Sequence, residues 1–460
     1  MSKSESPFRL RFLGAAGTVT GSRYLLTNDA QNILIDCGLF QGAKELRLKN
    51  WDRFPIDPSK IQALILTHAH IDHSGYIPRL VKEGFRGKIY CTMATKALCE
   101  ILLLDTAYLQ EEEAEWANRH RFSKHHPALP LFTQDEAKKA LQFFVPKEFN
   151  QEFSVAEDIK VTFRYAGHIL GAASAVVSVN NIKIGFSGDL GRPFDQILFP
   201  PEKMPPVDYL VLESTYGDRE HSEKDALKDL EELVNEAVRK NGVILIPAFA
   251  VGRAQLIMYQ LSVLKKAGRI KDIPMYLNSP MAEAVAELYK EFRSLHHLDD
   301  QACEEMAGVV KYIHTPDQSK KLNEKKEPML ILSASGMATG GRIVHHLKAF
   351  VSNPTTTVLL TGFQAWGTRG RSLQDGALEI KIHGEMIPVK AAIRVLHNSS
   401  AHADSSEIID WLIQSKIQPA KVFLTHGEPD SAAALKTKLT EKFGWNCTVP
   451  LQNQEFVLGV

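Results

Sequence analysis

Hydrophobic residues in the first part of the chain form short runs separated by turns, which is typical of β-strands. The predicted strands up to residue 66 are Phe8–Phe12, Arg23–Leu26, Asn32–Ile35 and Ile61–Leu66. Helical spacing at about 74–84 and 93–120 predicts two helices, and strands resume from about 160 to 212. This part of the chain is therefore predicted to be rich in β-strands.

From about residue 220 the pattern changes to helices that alternate with apolar strands. The predicted helices lie at about 222–240, 252–267, 280–294 and 341–351. The predicted strands are Gly242–Pro247, Met275–Leu277, Met329–Leu332 and Thr357–Leu360. Apolar strands spaced by helices indicate a parallel sheet covered on both faces. The charged stretch Lys320–Glu327 is predicted to be a solvated loop.

Composition limits the size and the charge of the protein. A chain of 460 residues is expected to form two or three domains, and 44% hydrophobic residues are enough for sizeable cores. Lys and Arg together number 54, as do Asp and Glu, so the formal net charge is zero. A zero balance excludes a diffuse basic surface as the means of attracting an anionic partner, and such attraction has to be concentrated in a cleft.

The cysteines and the start of the chain bear on the cellular compartment. The five cysteines are scattered and lack CxxC spacing, which favours a reducing compartment without disulfide bonds. The start, Met1–Ser6, has no apolar stretch of the kind found in secretory signals. No apolar run approaches the roughly 20 residues that a membrane-spanning helix needs. We therefore predict a cytoplasmic protein that does not enter membranes.

The most informative stretch is the run at residues 67–73, which directly follows an apolar strand. It contains three histidines and an aspartate. His68 and His70 are two residues apart, so in extended backbone they project to the same side and can share one ion. Asp72 and His73 come as the chain turns, where they can face a second ion. Partly buried imidazoles and carboxylates need partners, and the run therefore predicts a dinuclear metal site with zinc favoured.

Three further metal-type residues, His168, Asp189 and His426, come just after apolar, strand-like runs. A glycine flanks each of them and lets the backbone approach a crowded centre. A strand that runs into a loop with one such residue is how a rigid scaffold presents a ligand. Each residue alone is equally consistent with a capping or hydrogen-bonded side chain. Together with the 67–73 run, they are predicted to be ligands of the same centre.

These motifs resemble those of a known family. The chain has residues that resemble the four motifs of the metallo-β-lactamase superfamily in the same order: Asp36, the 67–73 run, His168 and Asp189. It also has residues that resemble motifs A, B and C of the β-CASP nucleases, which are Glu213, His402 and His426. Two stretches resemble the cap domain of that family, Pro247–Arg253 and Ser333–Met337. The resemblance spans essentially the whole chain and is closest to the RNA-processing branch, which includes the endonuclease of pre-mRNA 3′-end cleavage and its prokaryotic relatives.

The resemblance implies an α/β fold, a four-layer αββα metallo-β-lactamase sandwich with an inserted α/β parallel-sheet cap. Residues 1–213 and 398–460 would form the metallo-β-lactamase domain, and residues 214–397 the β-CASP cap domain. The resemblance also implies two Zn²⁺ per chain. The implied ligands are His68, His70 and His168 for one ion, and Asp72, His73 and His426 for the other, with Asp189 bridging both. Asp36 would orient ligands without touching the metal.

Charge balance indicates the reaction that such a centre suits. Two zinc ions with two aspartate ligands and one hydroxide leave one net positive charge, which suits a singly charged phosphodiester. Metal binding lowers the pKa of water to about 7, and two ions ~3.5–4 Å apart can hold a phosphate oxygen. The leaving sugar oxygen still needs a proton, and His402 with Glu213 as its carboxylate partner is the predicted donor. The alternative for His402 is a structural hydrogen bond within a turn.

Substrate contacts are predicted at three places. Ser400 precedes His402 and could donate to a phosphate that flanks the cut. Ser335 and Gly336 lie between a strand and a helix, where backbone amides favour an anion, and Arg253 opens another helix in the same way. Tight packing explains such glycine loops about as often as phosphate binding does, so both interpretations stay open.

The predicted function is a zinc-dependent ribonuclease that cuts single-stranded RNA internally, with 5′-exonuclease activity as a second mode. A DNA-directed β-CASP nuclease is one alternative, which His426 disfavours because the DNA-type members typically carry an apolar residue at motif C. A non-catalytic RNA-processing subunit is the other, and the filled ligand positions disfavour it. Because the first strand begins by about Phe8, we expect no RNA-binding domain before it. A homodimer is expected, on the ground that relatives commonly dimerise.

Overall fold

The computed structural model describes residues 7–121, 125–221, 225–396 and 400–459. The chain divides into two compact units. Unit 1 comprises Met1–Asp195, Phe199–Glu220 and His402–Val460, and unit 2 comprises Gln196–Leu198 and His221–Ala401. The first predicted domain boundary, at 213/214, lies near the division at residue 220. The second, at 397/398, falls outside the described residues.

Runs of consecutive strands are common in unit 1, and strands alternate with helices in most of unit 2. In unit 1 the strands up to residue 213 are β1 (Arg9–Phe12), β2 (Tyr24–Thr27), β3 (Asn32–Ile35), β4 (Ala63–Ile65), β5 (Lys88–Cys91), β6 (Phe144–Pro146), β7 (Glu152–Ala156), β8 (Ile159–Tyr165), β9 (Ala173–Val179), β10 (Ile182–Phe186) and β11 (Tyr209–Glu213). In unit 2 they are β12 (Val243–Pro247), β13 (Met275–Leu277), β14 (Lys311–Tyr312), β15 (Met329–Ser333), β16 (Thr357–Leu360), β17 (Glu379–Ile382), β18 (Glu385–Pro388) and β19 (Ala392–Val395). The last strands return to unit 1 as β20 (Lys421–Thr425), β21 (Cys447–Thr448) and β22 (Glu455–Val457).

The α-helices follow the same division. Those of the first part of unit 1 are α1 (Lys44–Leu48), α2 (Ile71–Ser74), α3 (Ile77–Lys82), α4 (Met93–His120) and α5 (Gln134–Leu141). Those of unit 2 are α6 (Ala226–Arg239), α7 (Arg253–Lys266), α8 (Pro280–Glu291), α9 (Asp300–Gly308), α10 (Pro316–Leu322), α11 (Arg342–Phe350) and α12 (Arg369–Gln374). The last two belong to unit 1 and are α13 (Ser405–Ser415) and α14 (Pro429–Phe443).

Unit 1 is a sandwich of two seven-stranded sheets, in the orders β22-β1-β2-β3-β4-β5-β6 and β21-β20-β11-β10-β9-β8-β7. Both sheets contribute to one hydrophobic core, in which Phe12 and Ile33 of the first sheet meet Phe163 and Phe186 of the second. Helices α13 and α14 share a second hydrophobic cluster with the other face of β11 and β20. On the first sheet, α4 contacts β6, and Leu34, whose side chain faces away from the core, is fully buried. Helices thus cover both sheets, which confirms the predicted α/β sandwich.

Unit 2 contains a six-stranded parallel sheet in the order β14-β13-β15-β12-β16-β19. Every residue of β12 and β15 is buried, as expected for central parallel strands covered by helices on both faces. The separate hairpin β17–β18 completes the unit. The predicted helix at 222–240 begins outside the described residues, and α6 starts after Asp225, whose side chain accepts a hydrogen bond from the N–H of Leu227.

Two predicted stretches differ from the structure. The helix predicted at 74–84 is divided into α2 and α3 by Gly75 and Tyr76. The loop predicted at Lys320–Glu327 was wrong for its first three residues, which form the end of α10. This helix is started by a capping box, in which the Thr315 hydroxyl accepts from the N–H of Gln318 and the Gln318 side chain accepts from the N–H of Thr315. Thr315 and Gln318 lie before the charged stretch, and their spacing is a sequence signal for a helix start.

Two further properties concern the part of the chain that the structure describes. None of its helices combines the length and the apolar character needed to cross a membrane. The five cysteines are buried free thiols. Burial raises the pKa of the Cys37 thiol to about 12, which keeps this thiol protonated and unreactive at neutral pH.

Gly38 allows a close approach of two backbone segments, and its substitution tests that packing. An added Cβ would lie 1.6 Å from the carbonyl oxygen of Asp72, so one of the two segments would have to move. We expect Gly38→Ala to destabilise unit 1 by about 3 kcal/mol or more, measured by calorimetric unfolding. Gly17→Ala is the control: its φ of 70° costs about 1–2 kcal/mol, but no atom lies within 4 Å of the added Cβ. Equal losses in the two variants would contradict the steric explanation.

Candidate metal centre

The candidate metal centre lies at one edge of the unit 1 sandwich. Strands β3 and β4 run parallel in the first sheet, and β10, β11 and β20 run parallel in the second. Because parallel strands end at the same edge of a sheet, the residues that end or follow them lie close together. Those residues are Asp36, His68, Asp189, Glu213 and His426. Distant parts of the sequence are thereby brought to one place.

At three residues of the site the backbone is in the left-handed conformation. Asp36, His168 and His426 have φ values of 54°, 57° and 49°, a region that costs residues with a Cβ roughly 1–2 kcal/mol each. Hydrogen bonds hold this backbone in place: the N–H of Asp36 donates to the carbonyl of Ile65 at 2.9 Å, and that of His426 donates to the carbonyl of Ala15 at 2.8 Å. Strain of this kind persists only where the surroundings enforce it, and it is concentrated in functional sites.

The first ligand group consists of His68, His70, His168 and Asp189, whose candidate donor atoms all lie within 4.8 Å of one another. His168 Nε2 is 3.0 Å from His70 Nδ1. Asp189 Oδ2 is 3.4 Å from His68 Nε2 and 3.4 Å from His168 Nε2. Three imidazoles and one carboxylate oxygen therefore surround a single small volume.

The second ligand group consists of Asp72, His73 and His426, again with donor atoms within 4.8 Å of one another. His426 Nε2 is 3.2 Å from Asp72 Oδ2. The other oxygen of Asp189, Oδ1, is 3.2 Å from His73 Nε2 and 3.5 Å from His426 Nδ1. Asp189 thus directs one oxygen toward each group, which is the geometry expected of a carboxylate shared between two cations.

The residues present fit a bound metal. Among the described residues, four buried side-chain atoms at this place have no hydrogen-bond partner: His68 Nε2, His70 Nε2, His168 Nδ1 and Asp189 Oδ1. Buried polar atoms are rarely left unpaired, since each costs about 1–3 kcal/mol. Two of them, His68 Nε2 and Asp189 Oδ1, face the ligand groups, and a cation bound there would remove that cost for these two atoms. Imidazole nitrogens together with carboxylate oxygens are donors that zinc prefers.

The protonation states suit ligation as well. Burial lowers the pKa of His68 to about 3 and that of His70 to about 4, so both imidazoles are neutral and keep a lone pair. Burial likewise lowers the pKa of His168. Burial also opposes the charged form of Asp189, but the imidazoles around it, His426 and His73 first, hold the pKa of this carboxyl well below its usual value. Burial opposes the charge of His73 too, but Asp189 and Asp36 raise its pKa well above the usual value. The neutral His68, His70 and His168 are in the form of imidazole that binds a metal.

Asp36 orients His73 from outside the ligand groups. Its Oδ2 accepts from His73 Nδ1 at 2.8 Å and from the Thr67 hydroxyl at 2.9 Å, and its Oδ1 accepts from the Thr67 N–H at 2.8 Å. Because Nδ1 of His73 donates to Asp36, the other ring nitrogen, Nε2, faces Asp189. The oxygen of Thr67 also lies 3.1 Å from His68 Nδ1. Thr67 was missed by the sequence analysis, although it directly precedes the first histidine.

His402 and Glu213 form a pair beside these groups. His402 Nδ1 lies 3.0 Å and 3.2 Å from the two carboxylate oxygens of Glu213, whose side chain is fully buried. His402 Nε2 faces the ligand groups, 3.9 Å from Asp189 Oδ2. Burial opposes the charge on His402, but Glu213 outweighs it and raises the pKa of the imidazole to about 9. The backbone N–H of Ala403 donates to the carbonyl of Leu190 at 2.8 Å and fixes the loop that carries His402.

The predicted substrate contacts belong to unit 2. Ser335 and Gly336 follow β15, and Arg253 begins α7 after β12, so they stand at the same edge of one parallel sheet. An added Cβ at Gly336 would lie 2.6 Å from the Phe249 ring, so packing by itself requires a glycine here, whether or not its backbone N–H contacts a phosphate. Ser335 Oγ lies 3.1 Å from Thr339 Oγ1, and Arg253 is buried. Ser400 is half-buried.

Comparison with known proteins identifies the family. Residues 16–238 match the metallo-beta-lactamase superfamily, residues 254–373 the Beta-Casp domain, and residues 386–450 the Zn-dependent metallo-hydrolase RNA specificity domain. The chain is 36% identical over 430 residues to Ribonuclease TTHA0252 of Thermus thermophilus, which covers 92% of this chain and 94% of that relative. The chain belongs to the β-CASP family of the metallo-β-lactamase superfamily. The family resemblance of the motifs is thereby confirmed.

Other similar proteins extend the comparison. This β-CASP protein is 31% identical over 454 residues to Transcription termination factor FttA of Methanosarcina mazei, covering 94% of this chain and 69% of that relative. A solved structure, a protein of unknown function from Enterococcus faecalis V583, aligns with a TM-score of 0.55 over 98% of this chain and 100% of that one. Its identity is 14%, so this likeness concerns the fold alone.

Metal content tests the two ligand groups directly. We predict two zinc ions per chain after gentle purification, measured by elemental analysis. His168→Ala should lose one ion, whereas Asp189→Ala should weaken both, because Asp189 directs an oxygen toward each group. His120→Ala, at an exposed position at the end of α4, is the control and should retain both. One tightly bound ion in the unmodified chain would contradict the dinuclear assignment.

Proposed function

We propose that this β-CASP protein is a zinc-dependent ribonuclease that hydrolyses phosphodiester bonds of single-stranded RNA, endonucleolytically and with 5′-exonuclease activity. One observation carries the proposal: the His402–Glu213 pair adjoins both ligand groups, with His402 Nε2 3.9 Å from the carboxylate of Asp189. A proton donor beside a dinuclear centre is the combination that phosphodiester hydrolysis needs.

Seven side chains would hold the metal. They are His68, His70 and His168 for one ion, Asp72, His73 and His426 for the other, and Asp189 between them. Zinc bound there would supply a nucleophile at neutral pH and stabilise the charge that develops on the phosphate. The remaining contributions come from residues of the chain that touch the leaving group or orient the ligands.

His402 would protonate the leaving oxygen. Its Nδ1 donates to Glu213, so the proton available to substrate is on Nε2, the nitrogen that faces the ligand groups. As the bond between phosphorus and the 3′ oxygen breaks, that oxygen takes the Nε2 proton and leaves as a hydroxyl. The oxygen of water forms the new bond to phosphorus. Glu213 stabilises the charged imidazole before the transfer and keeps the ring oriented.

RNA is the substrate class that the comparisons favour. The relative with 36% identity is named a ribonuclease, and residues 386–450 match a domain described as conferring RNA specificity. His426 at motif C also favours an RNA-directed enzyme over a DNA-directed one. The relatives named as transcription termination factors extend beyond the part that this chain matches, about 69% in the example above. We therefore do not extend termination of transcription to this protein.

Several finer assignments belong to this proposal. Ser400, Ser335, Gly336 and Arg253 are proposed as phosphate contacts, on the strength of their loop positions and hydrogen-bonding groups. A cytoplasmic location is a prediction from the sequence, and a homodimer is a prediction from the common dimerisation of relatives. None of these assignments is needed for the hydrolytic step itself.

The function is tested by digesting one RNA oligomer labelled at its 5′ end and the same oligomer labelled at its 3′ end. Internal products from both, abolished by a chelator and restored by zinc, are expected. Short products from the 5′ label alone would indicate trimming from that end. A DNA oligomer of the same sequence serves as the comparison. Failure to cut RNA with two zinc ions bound, or preferential cutting of DNA, would overturn the proposal.

The ends of the products report the chemistry. Attack by a water-derived oxygen with departure of the 3′ oxygen leaves 5′-phosphate and 3′-hydroxyl ends, and the 2′-hydroxyl takes no part. We expect both ends to be found by mass spectrometry. A 2′-O-methyl group at the cut site should slow cleavage only through fit. Products that end in a 2′,3′-cyclic phosphate would exclude this mechanism.

A variant of His402 separates proton donation from metal binding. His402→Ala should keep both zinc ions and lose about 10²–10⁴-fold in the rate of RNA cleavage. A nitrophenyl phosphodiester should lose far less, because its leaving group needs no proton. Glu213→Gln should behave as a milder version, since Glu213 acts through the imidazole.

The matched comparison for that experiment is His426→Ala. This variant should lose metal and slow both substrates alike, because His426 lies in the second ligand group. Zinc content and the two rates are measured on the same preparations. If His402→Ala loses zinc, or slows both substrates equally, His402 is not the proton donor.

A further inference from the structure

Thr215 connects the two functional parts of the site. It is buried, at 3% exposure, two residues after Glu213 in the chain. Its Oγ1 lies 2.6 Å from Glu213 Oε2 and 3.1 Å from His426 Nδ1. The same oxygen is 3.0 Å from the backbone carbonyl of His426. One hydroxyl therefore contacts both the partner of the proposed proton donor and a proposed metal ligand.

The proton on this hydroxyl can be placed by counting donors. Glu213 accepts from the N–H of Leu190 at 2.6 Å and from His402 Nδ1 at 3.0 Å. In its 2.6 Å contact with Thr215 the carboxylate oxygen again accepts, so the proton of that contact belongs to the hydroxyl. If the hydroxyl instead donated to the carbonyl of His426, two unprotonated oxygens would face each other at 2.6 Å.

The state of His426 follows from this placement. A threonine hydroxyl has one proton, and once that proton is donated to Glu213 its oxygen can only accept. His426 Nδ1 therefore carries a hydrogen and donates it to Thr215. The neutral ring then has its lone pair on Nε2, the nitrogen that lies 3.2 Å from Asp72 in the second ligand group. This is the tautomer that a metal ligand needs.

We propose that Thr215 is a positioning residue that, through a single hydroxyl, orients the Glu213 carboxylate for His402 and holds His426 in its metal-binding tautomer. The inference rests on the proposed function, since it takes His426 as a ligand and His402 as the proton donor. It adds a physical link between the two, because the metal ligand and the proton donor are oriented through the same three-residue segment at the end of β11.

The other ligand group contains the same arrangement. The Thr67 hydroxyl donates to Asp36 at 2.9 Å, and its oxygen lies 3.1 Å from His68 Nδ1. A carboxylate, a threonine hydroxyl and the Nδ1 of a proposed ligand are thus connected in the same order at both groups. In each case the carboxylate fixes the hydroxyl proton, and the hydroxyl oxygen fixes the imidazole tautomer. A repeated geometry is better explained by tautomer control than by incidental packing.

The test compares three variants of the full-length protein. Thr215→Val has nearly the same shape without the hydroxyl, Thr215→Ser restores the hydroxyl, and Ser214→Ala is the control, since the Ser214 hydroxyl donates to the backbone carbonyl of Thr425. Zinc affinity is measured by competition with a chromogenic chelator, and calorimetry checks folding. Thr215→Val should lose about 10–100-fold in affinity for one of the two zinc ions. Thr215→Ser should recover most of that loss, and Ser214→Ala should match the unmodified chain.

A second measurement needs no variant at Thr215. In the zinc-loaded protein labelled with ¹⁵N-histidine, long-range NMR spectra report which ring nitrogen carries the hydrogen, and His426→Gln identifies the signal of His426. A hydrogen on Nδ1 is expected, and one on Nε2 would overturn the proposal even if Thr215→Val did not fold. Equal zinc affinity in Thr215→Val and Ser214→Ala, or no recovery in Thr215→Ser, would overturn it too.

These readouts separate the inference from the proposed function. If the unmodified protein binds zinc but does not cut RNA, the proposed function fails, whereas the affinity and tautomer measurements still decide the role of Thr215. If RNA is cut normally and the Thr215 variants keep their zinc affinity and cleavage rate, only the positioning role fails. In the expected case the Thr215→Val variant also cuts RNA more slowly, and Thr215→Ser restores the rate.

Discussion

The burial of the Asp189 carboxylate is the constraint on which the rest of the site depends. Its side chain is 2% exposed, and its two oxygens face imidazoles of two different groups. An ion removed from water loses several kcal/mol of hydration, and it is tolerated only where opposite charge and hydrogen bonds replace the water. Neutral histidines such as His68 cannot supply that charge. Metal cations bound by the ligand groups would supply it.

The same constraint extends to the residues behind the ligands. A buried imidazole binds a metal only in the correct tautomer, and a hydrogen-bond partner on its other nitrogen decides that tautomer. Asp36 provides this partner for His73. Glu213 orients His402 in a similar way, although His402 is the proposed proton donor and not a ligand. The fold has to bring these carboxylates to the same edge of the sandwich, and it does so on the ends of β3 and β11. The strained backbone at Asp36 is the local cost of aiming its side chain.

The candidate ligands could largely be found from the sequence because several of them form a recognisable local pattern. Histidines two residues apart after an apolar strand project to one side whatever the rest of the fold does. Single residues such as His168 were predicted only in combination with the 67–73 run, since one histidine after a strand has many structural explanations. One short helix is not predicted. The charged stretch from Lys320 predicts a loop, although the capping residues around Thr315 begin α10 just before it.

Thr67 and Thr215 illustrate what lay beyond the sequence. A threonine hydroxyl has no distinctive spacing, and its role depends on which carboxylate and which imidazole the fold places within about 3 Å of it. By itself, the sequence determined the alternation of strands and helices, the run of metal-type residues at 67–73 and the family. Only the tertiary structure decided which oxygen of Asp189 faces which group and which nitrogen of each imidazole stays available. Those choices depend on contacts between residues far apart in the chain, and local periodicity carries no information about them.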